Sequence, residues 1–333
     1  MSGRPVIVDC DPGLDDAIAL LLALASPAEI DLLGVTCVAG NVPLDLTVRN
    51  ARIVVELSGR RDVPVYAGCS RPMLRTLSTG ERIHGKTGLG GRFRPAAVSE
   101  RPARADTCAD GYDWAEPSLP IAEGHAVDFI IETCLAAEDD AITLCPVGPM
   151  TNVATAIVKE PRILPKLREV AFMGGAALVP GNVTPVAEFN IHADPHAARI
   201  VLESGVKLTM FGLDVTHKAI TTPERLDAIR GIGTPVATAA AAILTFYDRA
   251  DIERYGARGG PLHDPCVIAY LLRPALFSGK ECHVAVETES ELTMGQTVAD
   301  WWGMTGKAAN CRVVTGIDAD GYYALIRERL ACL

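Results

Sequence analysis

Apolar positions along the chain fall in short unbroken runs, each closed by a polar or glycine-bearing break and followed by a stretch of helical spacing. The run Val6–Cys10 predicts a strand, and the Ala/Leu-rich stretch from about Asp15 to Ala25 predicts a helix stopped at Ser26-Pro27. Ile30–Val38 predicts a second strand, ending in Ala39-Gly40-Asn41 ahead of a helix over Pro43–Ser58. Val63–Tyr66, Ile142–Val147, Val170–Met173 and Lys207–Phe211 predict four more strands, the last three breaking at Gly148-Pro149, Gly174-Gly175 and Gly212-Leu213-Asp214. Strands that alternate with helices imply βαβ units, and runs that are apolar throughout suit strands covered on both faces. The expected fold is therefore α/β, a mostly parallel central sheet flanked by helices. Beyond Pro223 the pattern turns mainly helical, including Thr234 to about Glu253. A hairpin is expected at about His283–Glu287 and Leu292–Val298, and a terminal helix near Leu330.

One stretch breaks this rhythm. Between Cys69 and Pro120 the chain is too long and too rich in Pro, Ala and charge for a simple connection, which predicts an insertion after the third strand, at about 92–120. It is expected to serve as a lid or a subunit contact, with Tyr112 and Trp114 on its surface. No linker or internal repeat divides the remainder, so residues 1–333 are expected to form a single domain.

Composition narrows the function. Of 333 residues, 49% are apolar and 22% charged, ordinary for a chain that buries a full core. The balance of 31 Lys+Arg against 41 Asp+Glu leaves a net charge of −10, which argues against a nucleic-acid partner. No apolar run is long enough to span a bilayer, so no membrane partner is expected. The start MSGRPVIVDC enters a strand without an export signal, which predicts a cytoplasmic protein. The ten cysteines carry no CxxC pair and read as reduced, buried thiols. No G-x-G-x-x-G, P-loop or G-x-S-x-G pattern is present, which leaves nucleotide cofactors and serine hydrolase chemistry without support.

The chemistry concentrates at the end of the first strand. Asp9, Asp11, Asp15 and Asp16 place four carboxylates within eight residues, at the carboxyl edge where open α/β sheets bind ligands. Asp15 alone could be a helix N-cap. Four together repel, and either some stay protonated or a cation sits among them. Oxygen ligands without adjacent His or Cys select a hard ion, Ca²⁺ or Mg²⁺. Other polar groups follow other strands. Asn41 and Asn182 each follow a glycine and taken singly read as turns. Glu188 and Asn190, in the apolar setting VAEFNI, are harder to read as surface. His263-Asp264-Pro265 is compatible with ordinary helix capping by Asp264, as Asp194-Pro195 is, while His263 beside an acid suits a general acid. His84 alone reads as a surface histidine.

Taken in order, DCDPGLDDAIAL, Gly40-Asn41, PVGPMTN at 146–152, FMGG at 172–175, AEFN at 187–190, GLDVTHK at 212–218 and PLHDP at 261–265 resemble the inosine-uridine-preferring nucleoside hydrolases. The resemblance spans the chain apart from the insertion. It implies a Ca²⁺-dependent N-ribohydrolase in which Asp11 is the general base that activates a calcium-bound water. Asp11, Asp16, Asp264 and the carbonyl of Val147 would hold the calcium. Asp15, Asn41, Asn182, Glu188 and Asn190, with Met173 of the FMGG stretch, would hold the ribose. His263 matches the acid for the departing base and His84 a contact to it. The substrate is then a small-molecule ribonucleoside, purine or pyrimidine, and the assembly a homodimer or homotetramer. Two rival readings compete: an aspartyl-phosphate phosphatase with Asp9 as nucleophile, and a nucleoside-binding protein without catalysis.

Overall fold

The computed structural model describes residues 3–94, 112–255 and 259–333. Its first half runs β1 (Arg4–Cys10), α1 (Leu14–Leu24), β2 (Ile30–Cys37), α2 (Leu44–Leu57), β3 (Val65–Ala67), α3 (Glu81–His84), β4 (Gly91–Arg94), β5 (Tyr112–Ala115), α4 (Ala126–Ala136), β6 (Ile142–Pro146) and α5 (Thr151–Lys159). The second half runs β7 (Leu167–Met173), α6 (Phe189–Ala193), α7 (Pro195–Leu202), β8 (Leu208–Phe211), α8 (Leu213–Thr216), α9 (Pro223–Arg230), α10 (Pro235–Tyr255), α11 (Pro265–Leu272), β9 (Phe277–Val286), β10 (Thr297–Asp300), β11 (Cys311–Ile317) and α12 (Ala319–Leu330).

Nine strands form one sheet in the order β10-β9-β11-β8-β7-β6-β1-β2-β3. From β11 to β3 every pairing is parallel, and β9 runs antiparallel to both its neighbours. The mostly parallel α/β architecture is thus present, and its physical basis is visible in β1. Val6 and Val8 pack with α1 on one side, while Ile7 packs with α4, α5 and α7 on the other. Both faces are covered, which is why the strand is apolar at consecutive positions. Every residue of α1 is buried, so its sequence is apolar all round except for Asp15 and Asp16 at its first turn.

The structure differs from the sequence reading at three places. The hairpin is shifted: its second strand is Thr297–Asp300, and Leu292 lies exposed in the connection. The strand Cys311–Ile317, sandwiched between β8 and β9, is an addition to the expected set. The third concerns the insertion, which falls largely on residues 95–111, outside the described residues. At its far end Trp114, expected at the surface, is buried at 2% exposure and donates its indole N–H to the carbonyl of Gly90 at 2.9 Å. Tyr112–Ala115 pairs in parallel with Gly91–Arg94 as a small second sheet. Residues 117–119 are laid over α2, where Arg52 donates to the carbonyls of Pro117 and Leu119. The hydrogen bond satisfies the one polar atom of the indole, so the apolar area of the ring favours burial unopposed.

Candidate active site

The carboxyl ends of the parallel strands converge on one cavity of about 370 Å³. Its wall carries Asp15, Asn41, His84, Val147, Met173, Asn182, Glu188, Asn190, His263 and Asp264. Asp11 and Asp16 sit immediately behind that wall, 1% and 0% exposed.

Asp16 organises the floor. Its carboxylate accepts the N–H of Gly13 at 2.9 Å and of Asp11 at 3.2 Å, and the side-chain amide of Asn41 at 3.0 Å. This corrects the capping expectation: Asp16, not Asp15, satisfies the main chain ahead of α1. Asp11 accepts the N–H of Asn41 at 2.6 Å and touches Asp16 through its side chain. The glycines on either side explain two of the sequence breaks. A Cβ on Gly40 would stand 2.1 Å from one Asp11 oxygen, and a Cβ on Gly148 would stand 2.4 Å from the other. Only a bare backbone lets two loops close on that carboxylate.

Asp264 arrives from the opposite side. It occupies the N-cap position of α11 yet makes no capping hydrogen bond, whereas Asp194 caps α7 by accepting the N–H of Ala197 at 3.1 Å. Its carboxylate turns instead onto Asp16. Oxygens of Asp15, Asp16 and Asp264 all lie within 4.8 Å of one another. Burial, and then mutual repulsion, hold these acids far above the usual carboxylate range: Asp15 is pushed up to about 8, and Asp11 and Asp264 are both raised well above their ordinary value. Such a set of all-oxygen donors fits a hard divalent cation.

On another part of the wall, Glu188 caps α6, accepting the N–H groups of Asn190 and Gly175 at 3.0 Å each, and burial pushes it up to about 7. Asn190 donates its side-chain amide to the carbonyls of Val147 at 2.8 Å and Met173 at 3.2 Å. Asn182 accepts the N–H of Phe189 at 2.9 Å. The turn reading of Asn41 and Asn182 is therefore incomplete, since both also face the cavity. The surface reading of His84 is corrected outright. It is buried, and its Nδ1 accepts the N–H of Leu14 at 3.1 Å, which puts the ring proton on Nε2. Burial brings its pKa down to about 4, so the ring is neutral at pH 7. Opposite, His263 Nδ1 lies within hydrogen-bond distance of Thr216 Oγ1, 2.7 Å, and the ring packs near His217.

Some wall residues carry no signal of their own in the sequence: Ser78 and Thr79 of the loop before α3, Arg82 in α3 itself, and His217. His217 lies inside the GLDVTHK stretch, so the motif holds its signal. The loop offers none beyond its glycine.

Asp9 does not join the site. Its carboxylate accepts from Thr36 Oγ1 at 2.6 Å and Asn152 Nδ2 at 2.8 Å, away from the cavity wall. A phosphatase nucleophile has to face its substrate, so that rival loses its central residue.

A cavity with acids on its floor, amides along one side and histidines along the other suits a hydrolase acting on a polyhydroxylated substrate. The chain belongs to the inosine-uridine preferring nucleoside hydrolases, whose family profile matches residues 6–324. It is a nucleoside hydrolase, which also removes the reading of a binding protein without catalysis. It is 44% identical over 331 residues to the pyrimidine-specific ribonucleoside hydrolase RihA of Shewanella sp. (strain MR-7), covering 98% of this chain and 96% of that one. Among solved structures it is similar to a purine-preferring ribonucleoside hydrolase from Gardnerella vaginalis, with TM-score 0.86, 30% identity and 98% of each chain covered. A plant nucleoside hydrolase gives TM-score 0.81 at 28% identity, over 98% of this chain and 99% of that one. Among the described residues, no helix is long and apolar enough to cross a membrane.

Proposed function

We propose that the chain cleaves the N-glycosidic bond of ribonucleosides with a calcium ion held by Asp11, Asp16, Asp264 and the carbonyl of Val147. The observation that carries this reading is the cluster of four buried, mutually repelling carboxylates at one end of a cavity of substrate size. When bound, calcium supplies acidification of a water and a grip on vicinal ribose hydroxyls.

The chain's own residues do the rest. Asp11 takes the proton of the attacking water. Asp15, Asn41, Asn182, Glu188 and Asn190, beside Met173, orient the ribose, and their oxygens oppose the positive charge that grows on the sugar as the bond to the base breaks. Those contacts strengthen in the transition state, which is where they raise turnover. His263 delivers a proton to the departing base, and the Nε2–H of His84 donates to an acceptor on it. The 44% identity to a pyrimidine-specific enzyme, against 30% to a purine-preferring one, favours uridine and cytidine over inosine.

The test is His263→Ala assayed on uridine, inosine and 4-nitrophenyl riboside. Loss of a general acid lowers kcat by about 10²–10⁴-fold where the leaving group needs a proton. Nitrophenolate leaves as an anion, so the ratio of turnover on the nitrophenyl riboside to turnover on uridine is expected to rise steeply. A ratio equal to that of the wild type would refute the role.

A further inference from the structure

His263 sits on a loop that is held by another loop as well as by its own helix, whose Cys266 donates its N–H to the carbonyl of His263 at 3.1 Å. Leu262 donates its N–H to the carbonyl of Ala219 at 2.8 Å, and Thr221 donates its N–H to the carbonyl of Gly260 at 2.8 Å. Tyr322 of α12 donates its hydroxyl to the carbonyl of Leu262 at 3.1 Å. The segment just after α8 thus anchors the backbone of this loop. The side chain is held by the last residue of α8: Thr216 Oγ1 lies 2.7 Å from His263 Nδ1, and Thr216 is completely buried.

We propose that Thr216 is the positioning residue of His263. With Nδ1 occupied by the hydroxyl, the imidazole is held in one orientation, and Nε2 is the ring nitrogen that serves the cavity. A hydroxyl can donate or accept, so the same contact holds the ring in either tautomer. The support is rigid, because α8 follows β8 directly and its Asp214 accepts the N–H groups of Ala177 at 2.8 Å and Leu178 at 2.7 Å. Thr216 is not part of the cavity wall, so it acts through His263 and leaves substrate contacts intact. This role rests on the reading of His263 as the acid for the departing base.

Thr216→Val keeps the shape and removes the hydrogen bond, and Thr216→Ser restores the bond with a smaller side chain. Both are measured beside His263→Ala on uridine and on 4-nitrophenyl riboside. A misplaced catalytic group costs up to about 10²-fold. In Thr216→Val the nitrophenyl-to-uridine turnover ratio should therefore rise by about 10- to 100-fold, with KM for uridine little changed, and Thr216→Ser should return the ratio towards that of the wild type. Equal losses on both substrates in Thr216→Val would make the hydroxyl merely structural and overturn the proposal. So would a raised ratio in His263→Ala with none in Thr216→Val, which leaves the role of His263 standing. An unchanged ratio in His263→Ala itself removes the parent reading and this one with it.

Discussion

Asp11→Asn should lower kcat by about 10²–10⁴-fold on uridine, inosine and 4-nitrophenyl riboside alike, because a base that acts on the water is needed whatever group departs. This distinguishes it from His263→Ala, whose loss depends on the leaving group. The substitution is nearly isosteric, and the pocket around Asp11 is shaped by Gly40 and Gly148 rather than by charge, so the variant is expected to fold. Removing one of four buried acids also relieves repulsion. Comparable circular dichroism with a uniform loss of turnover is the expected result. A loss confined to poor leaving groups would place Asp11 on the wrong side of the reaction.

The second large effect is a dependence of metal-free stability on pH that calcium reverses. Asp15 is raised from an ordinary value of 3.8 to about 8 by burial and by its neighbour Asp16. An acid whose pKa is raised by folding binds its proton more tightly when folded. Its contribution to stability is therefore full below pH 3.8 and is lost as the pH climbs through about 8. Asp11, Asp16 and Asp264 are raised as well and act in the same direction. A tenfold difference in proton affinity between the folded and unfolded chain is worth about 1.4 kcal/mol, so the chelated protein should lose on the order of a few kcal/mol between pH 5 and pH 8. With calcium the carboxylates are wanted ionised, so the stabilisation by the ion grows over the same range. Thermal melts with EDTA and with excess calcium should diverge as the pH rises. Asp9 and Glu188, each raised to about 7, contribute to both curves and cancel in the difference. Parallel curves would contradict a metal site built from these acids.

Much of this is legible in the chain alone. The central strands are readable because burial on both faces leaves an apolar signature that needs no partner to interpret. The acidic start of α1 is readable because Asp11, Asp15 and Asp16 crowd together there, although Asp9, which the spacing counts with them, turns away to Thr36 and Asn152. What the sequence hides is decided by contacts between distant segments. Asp194 and Asp264 both precede proline at a helix start, yet one caps and the other turns towards Asp16, a difference made by what lies across the gap. His84 reads as a surface residue because nothing local reveals that Leu14, seventy positions away, supplies its hydrogen bond. Trp114 misleads for the same reason, its partner being the carbonyl of Gly90 across the insertion. Cys311–Ile317 is buried between two strands that are not its sequence neighbours in any simple βαβ unit, so the period offers little help.

Calorimetric titration of EDTA-stripped protein with calcium chloride at pH 7.5, run in two buffers of different ionisation enthalpy, tests the shared-cation account most directly. The expected outcome is a single site per chain, proton release on binding, recovery of uridine hydrolysis in step with occupancy, and loss of all three in Asp16→Asn. Stripped protein that takes up no calcium and still hydrolyses uridine at the full rate would contradict it.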